Sequence, residues 1–261
     1  MKPETATENS PEPRPAATLV LLRRTARCPL QALMVVRHTA VEFAGGAAVF
    51  PGGRVDASDH VGTEADDDAF RFAAIRETFE ECGIVLAYDD TGGEMVSKAR
   101  ARALRQTYRL AVSTGELPFA DMLRDERLRP ATDLLIPFAH WITPPLRKKR
   151  YDTHFFIAPY DGDQEILHDD GEVTQAEWIS PETLLSDAKN GRYKLVFATR
   201  LNVERLAAFA SVDDAIATVR DTPVVTVRPE SVETPKGRMV RIPGDAGYGG
   251  ELFLSNDPSS I

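Results

Sequence analysis

Cysteine is nearly absent from this 261-residue chain, which carries only Cys28 and Cys82. Two thiols do not make a disulfide framework, and a reducing compartment, the cytoplasm, is the expectation. Also lacking is any apolar run approaching the ~18–20 residues of a membrane span, so no membrane partner is expected. Positive charge is in deficit, with 31 Lys and Arg against 40 Asp and Glu and a formal net charge of −9. A general nucleic-acid binder needs clustered cations to meet phosphates, and this balance argues against one. Met1–Pro15 holds no apolar core of the kind a signal peptide needs. Rich in Pro, Glu and Thr, it reads as a disordered tail. The last residues, Asp257–Ile261, do not form a peroxisomal Ser-Lys-Leu ending, and no internal repeat is visible.

What is present suits one large domain, with a hydrophobic share of 43%. Ala17–Leu22 and Gln31–Arg37 read as strands. Ala47–Phe50 reads as a short apolar strand ended by a Pro51-Gly52-Gly53 turn, where backbone can approach a ligand closely. A helix is expected from Asp67 to Cys82, with acidic residues in its first turn as the helix dipole favours. Gly83 then reads as a terminating glycine that runs into a strand at Ile84-Val85-Leu86. Ser97–Thr114 and Phe119–Glu126 read as helices, placing a helical insertion at about 95–130. Strand character returns at Pro137–Thr143, Thr153–Ala158 and Glu172–Ile179. Pro181 opens a helix, Lys194–Ala210 supplies the last one, and Val224–Val227 with Arg238–Ile242 suggest a terminal hairpin. The expected class is α/β (α+β), a mixed sheet covered by helices on both faces, in a single domain over residues 16–255.

The densest chemistry lies in Arg76-Glu77-Thr78-Phe79-Glu80-Glu81-Cys82-Gly83-Ile84. On a helix, Glu77, Glu80 and Glu81 stand at i, i+3 and i+4, so three carboxylates converge on one patch. Phe72, Ile75 and Phe79 fall on roughly the opposite face and give the helix an apolar seat. Ionised carboxylates this close repel by about 1 kcal/mol per pair even in water at 4 Å. Either one holds a proton or a cation sits between them, and hard oxygen ligands at this density suit Mg²⁺ or Mn²⁺. An acidic pair on a helix also occurs as a plain solvated face, with Arg76 paired to Glu80. The order of strand, glycine turn, acidic helix, glycine and strand favours the site.

Pro51-Gly52-Gly53 followed by the Arg76–Ile84 run resembles the signature of the Nudix hydrolases. That pattern is a glycine, five residues, a glutamate, seven residues, then Arg-Glu-aliphatic-x-Glu-Glu-x-Gly-aliphatic. Two positions depart from it: Asp68 stands for the first glutamate and Thr78 for the aliphatic residue. Gly62 has the formal spacing from Asp68, but Gly53 is the glycine in the right context, which makes the loop after Arg54 longer than usual. Trp141–Pro145, Arg150–Ala158 and Ile242–Asp245 are similar to the acyl-coenzyme A diphosphatase branch. That branch also has an extended loop after Pro-Gly-Gly and a helical insertion after the signature helix. The resemblance implies a Nudix-type α/β/α sandwich with a mixed sheet. It also implies metal-dependent hydrolysis of a pyrophosphate bond in a nucleoside diphosphate derivative. Coenzyme A or acyl-coenzyme A comes first, giving 3′,5′-ADP and (acyl-)4′-phosphopantetheine. ADP-ribose or NADH is the alternative substrate class. A ligand-sensing domain without turnover is an alternative of another kind, against which the three intact glutamates stand.

For such chemistry Glu77 and Glu81 are the first choice as metal ligands, and Glu80 either joins a second metal or acts as the base. The carbonyl of Gly52 or Gly53 can add a backbone oxygen. Arg76 joins the catalytic set as the residue that orients the glutamates. Glu172, in His168-Asp169-Asp170-Gly171-Glu172, is a further base or ligand candidate, and the same run also reads as an ordinary acidic turn. Asp56, Asp59, Glu64, Asp66 and Asp67 read as solubilising residues of the long loop. Arg147 and Arg150, in the basic run 147–150, are substrate-binding candidates, as are Arg37 and Arg54; a solvated basic loop is the competing reading. Arg102, Arg105 and Arg109 share a helix face that a solvated stripe also explains. Phe43, Trp141 and Tyr151 either stack a base or belong to the core. The partner is then a small molecule, and a homodimer is compatible with the usual assembly of soluble enzymes.

Overall fold

The computed structural model describes residues 10–39, 44–61, 66–89, 93–145, 147–167, 173–235 and 237–254. In chain order the elements are β1 (Arg14–Thr25), β2 (Cys28–Arg37), β3 (Ala48–Val49), β4 (Gly52–Arg54), α1 (Asp66–Cys82), β5 (Ala87–Asp89), α2 (Lys98–Ser113), α3 (Phe119–Asp125) and β6 (Leu128–Pro130). They continue with β7 (Ile136–Ile142), β8 (Tyr151–Pro159), β9 (Val173–Ile179), α4 (Pro181–Lys189), α5 (Phe197–Leu206), α6 (Val212–Arg220), β10 (Thr226–Val227), β11 (Glu230–Thr234), β12 (Gly237–Arg241) and β13 (Leu252–Leu254).

The central sheet runs β10-β7-β8-β1-β2-β3, with β4 on β1 and β9 on β2. It is mixed, since β1 and β8 are parallel whereas β1 and β2 are antiparallel. Alternation along the strands fills a core on each face, as a period of two requires. Leu19, Leu21, Leu33, Val35 and Phe156 point to the side of α1, α2 and α3. Val20, Leu22, Met34, Phe155 and Ile157 point to the side of α4, α5 and α6. The α/β/α layering expected from the sequence is therefore the observed one.

Several local expectations are corrected. β1 begins at Arg14, inside the stretch read as a tail, because Arg14 and Pro15 continue the parallel ladder against Tyr151 and Asp152. Gly52 and Gly53 are not a turn but lie in β4, paired with Thr18 and Ala17. Ile84-Val85-Leu86 is not a strand. Its apolar side chains are fully buried, and the Gln164 side chain does the work of a neighbouring strand for Val85. The Gln164 Oε1 accepts from the Val85 N–H at 2.9 Å, and its Nε2 donates to the Val85 carbonyl at 3.0 Å.

Nor do Val224–Val227 and Arg238–Ile242 pair as a hairpin. β10 joins the main sheet beside β7, and β12 pairs instead with β11, an exposed Glu- and Ser-bearing strand without apolar alternation to betray it. The expected last helix starts only at Phe197, since the Lys194 carbonyl is held in a backbone bond from Ala48. A further helix, α6, follows, with Ser211 as its N-cap.

Candidate active site

α1 is seated by Phe72, Ile75 and Phe79, all buried in the core, and this turns Glu77, Glu80 and Glu81 towards β4. The two β4 glycines are demanded by close approach. A Cβ on Gly52 would stand 2.4 Å from the Ala17 carbonyl oxygen, and one on Gly53 would stand 2.4 Å from Glu77 Oε1. The Gly52 N–H donates to Glu81 Oε2 at 3.1 Å, tying strand to helix. Thr78, the departure from an aliphatic residue, is fully buried with its hydroxyl satisfied by the Ala74 carbonyl at 2.7 Å. Its methyl side is compatible with the apolar seat, and its oxygen needs no other partner.

Arg76 is the hub of the site. Its Nε and Nη2 donate to the two oxygens of Asp59 at 2.8 and 3.0 Å, and Nη2 also reaches the Arg54 carbonyl at 2.7 Å. Its Nη1 donates to Glu77 Oε1 at 3.0 Å and to Glu80 Oε1 at 2.9 Å. Five contacts match the five N–H donors of a guanidinium. Asp59, read from the sequence as a solubilising loop residue, is corrected: it is 1% exposed and holds Arg76 from behind. Asp56 and Asp59 form a short capped turn at Ala57–Asp59, in which the Asp56 N–H donates to Asp59 Oδ2 at 2.8 Å. The Asp-x-x-Asp spacing was the available signal for that turn, but nothing local pointed to Arg76.

The electrostatics follow from this packing. Burial opposes the charge on Arg76, yet Asp59, Glu77 and Glu80 hold the guanidinium above its ordinary value. Burial lifts Glu77 above the usual carboxylate range; Arg76 pulls it back and Glu80 adds to the rise. Glu80 is lifted too, by burial first, against the pull of Arg76. Charge on this cluster is thus under-compensated by Arg76 alone. The donor set fits a hard divalent cation: carboxylates from consecutive turns, with the backbone of Gly53 against Glu77.

The inserted helix α2 finishes α1. Gly83 takes a left-handed conformation (φ +70°), and its N–H returns to the Phe79 carbonyl at 2.8 Å. Arg109 donates from Nε and Nη2 to the carbonyls of Glu80 and Glu81, each at 2.8 Å. Arg105 is buried, with its Cδ where a Gly83 side chain would lie. Neither arginine belongs to a merely solvated stripe.

A cleft of about 1430 Å³ contains the three glutamates, Gly52, Gly53 and Arg76. Arg37, Arg54 and Arg147 also line it, together with Lys148, Lys149 and Lys194. Arg150 does not: its Nε donates to the Thr143 carbonyl at 3.0 Å and its Nη1 to the Pro11 carbonyl at 2.8 Å. Lys194 escaped sequence reading because it is remote in sequence and reaches the cleft through its backbone bond to β3. Trp141 resolves both readings, since it is 5% exposed in the core and also lines the cleft, with Nε1 donating to Tyr248 Oη at 2.9 Å. Tyr151 lines the cleft half-buried. Glu172, His168 and Phe43 lie outside the described residues, as do Gly62 and Glu64.

Comparison with known proteins agrees with this geometry. The family model described as the NUDT19 Nudix domain matches residues 61–199, more than half of the chain. An acyl-coenzyme A diphosphatase NUDT19 of Xenopus laevis is 28% identical over 156 residues, covering 56% of this chain and 41% of its own. The Homo sapiens protein of the same name is 29% identical over 164 residues, covering 60% of this chain and 44% of its own. The chain thus spans less than half the length of these two relatives. The crystal structure of a NUDIX hydrolase from Alicyclobacillus acidocaldarius superposes with a TM-score of 0.71 at 29% identity, covering 81% of this chain and 99% of that one. With the signature glutamates on α1, the glycines of β4 and the arginine that joins them, the chain belongs to the Nudix hydrolase family, in its NUDT19-like branch.

Proposed function

We propose that this protein hydrolyses the pyrophosphate linkage of a nucleoside diphosphate derivative with Mg²⁺ or Mn²⁺, and that coenzyme A or acyl-coenzyme A is the substrate class. The observation that carries this reading is the meeting, in one cleft, of Glu77, Glu80 and Glu81 with Arg37, Arg147, Lys148, Lys149 and Lys194. A diphosphate is repelled by the carboxylates unless a cation intervenes, whereas an additional phosphate is met by the basic wall. The names of the Xenopus and human relatives support the substrate class.

Glu77 and Glu81 would hold the metal, with the Gly53 carbonyl as a further oxygen. When bound, the metal supplies charge neutralisation and a lowered pKa for the attacking water. Arg76 holds Glu77 and Glu80 in place by one oxygen each. Water adds to one phosphorus, the bond from that phosphorus to the bridging oxygen breaks, and a carboxylate accepts the proton released. Glu80 is the proposed acceptor, with Glu172 as the other candidate. Coenzyme A would give 3′,5′-ADP and 4′-phosphopantetheine. A cytoplasmic setting belongs to the same reading, and no helix among the described residues is long and apolar enough to cross a membrane.

The test is product analysis by mass after incubation with Mg²⁺ or Mn²⁺ and coenzyme A, dephospho-coenzyme A, a medium-chain acyl-coenzyme A, NADH or ADP-ribose. Adenosine bisphosphate from the coenzyme A substrates, with dephospho-coenzyme A much poorer, is the expected result. Preference for NADH or ADP-ribose overturns the substrate class, and absence of product from all of them overturns the activity.

A further inference from the structure

On the other face of the sheet from the cleft-lining side chains of β8 lies a second convergence of ligating groups. His140 of β7 and His154 of β8 are directly opposite in the antiparallel register. Asp152 is two residues from His154 and so shares its face, whereas Tyr151, Thr153 and Phe155, between and beside them, line the cleft. One ligand atom from each of His140, Asp152 and His154 can be chosen so that all three lie within 4.8 Å of one another. Asp152 Oδ1 is the shared centre, 2.5 Å from His140 Nε2 and 3.8 Å from His154 Nε2.

We propose that His140, Asp152 and His154 form a divalent-cation site of the imidazole–carboxylate kind that takes Zn²⁺. Two imidazole nitrogens and one carboxylate oxygen suit a borderline cation in a way that the all-oxygen glutamate cluster does not. A tetrahedral ion at about 2.0–2.1 Å from its ligands needs them about 3.3 Å apart, and the three groups approach that spacing. His140 has the outer hydrogen bond that such a site calls for. His140 Nδ1 lies 2.8 Å from Thr226 Oγ1 on β10, and a proton held there leaves Nε2 with its lone pair towards Asp152. The His154 ring is wedged between Phe70 of α1 and His140, with ring centroids 4.2 Å apart on each side. Side chains of His140, Asp152 and His154 keep 18%, 34% and 31% of their surface exposed, so an ion can enter and a water can complete its shell. Its role would be to clasp β7 to β8 near the start of α1. This inference does not depend on what the cleft hydrolyses.

Zn²⁺ titration calorimetry on the chelator-stripped full chain, with Mg²⁺ in large excess, tests it, and Co²⁺ visible absorption reports imidazole ligation. One equivalent of Zn²⁺ is expected. His154→Phe, which keeps a ring against Phe70, and Asp152→Asn should each weaken binding by about 10-fold or more. Glu77→Gln combined with Glu81→Gln should leave this binding unchanged. His140→Asn is the further variant should His154→Phe fail to fold. Zn²⁺ binding equal in wild type, His154→Phe and Asp152→Asn overturns the site. So does binding lost only in the glutamate variant, or no binding at all.

Discussion

Asp59 presents both carboxylate oxygens to Arg76, at 2.8 Å from Nε and 3.0 Å from Nη2, in a pair that solvent scarcely touches. The same guanidinium holds Glu77 and Glu80, so a residue of the long loop sets the geometry of carboxylates on a helix. Glu77 and Glu80 still balance the guanidinium charge without Asp59, but its Nε and Nη2 lose a buried charged acceptor, at about 1–3 kcal/mol. Asp59→Asn should lose stability of that order in urea unfolding. Its hydrolytic turnover should fall as well, even at saturating metal. A variant with wild-type stability and turnover would show that Asp59 is dispensable.

Glu81→Gln should keep the fold, because the amide oxygen can still accept from the Gly52 N–H. It removes a charge from the proposed metal site, so turnover should drop by about 100-fold or more, the equivalent of several kcal/mol of charge stabilisation. Near-normal Mg²⁺-dependent rates with unchanged circular dichroism would sink the assignment.

The neighbouring glycines should separate fold from chemistry. A methyl on Gly52 meets the backbone of Ala17 and Thr18, which cannot move cheaply, so Gly52→Ala should lower the melting temperature. The three atoms nearest a methyl on Gly53 all belong to the end of the Glu77 side chain. Gly53→Ala should therefore leave the melting temperature closer to wild type while weakening Mg²⁺ affinity, read by calorimetry. The opposite pattern would mean that Gly53 serves the sheet and not the carboxylate.

Tyr248 offers a pH test remote from the carboxylates. Its hydroxyl donates to Asn202 Oδ1 at 2.8 Å and accepts from Trp141, and burial pushes the phenol up to about 12. Between pH 10 and 12 the unfolded chain has shed this proton while the folded one keeps it, so stability is full below pH 10 and declines as pH rises towards 12. Tyr248→Phe should lose about 1–3 kcal/mol at neutral pH by stranding Trp141 and Asn202. It should also flatten that alkaline decline in denaturant titrations.

What was legible in the sequence was what is written locally. The apolar runs of β1 and β2, the apolar seat of α1 and the spacing of Glu77, Glu80 and Glu81 all survive in the structure because each depends on neighbours in the chain. What was not legible depends on partners far away. Ile84–Leu86 has the composition of a strand, but the backbone of Val85 is satisfied by Gln164, 79 residues away. Asp59 looked like any loop acid until Arg76 was placed against it, and Arg150 looked like a phosphate ligand until two carbonyls claimed it. β11 was missed because exposed, charged positions can form a ladder without an apolar rhythm.

Arg109 gives the last turn of α1 an answer that the signature itself does not contain. The carbonyls it clamps belong to Glu80 and Glu81, the same residues whose side chains face the cleft. Without α2 the carboxylates would still stand on α1, but the carbonyls of its last turn would lose the guanidinium that holds them. In this chain the inserted helix and the signature helix form one physical unit, and trimming the one would blunt the other.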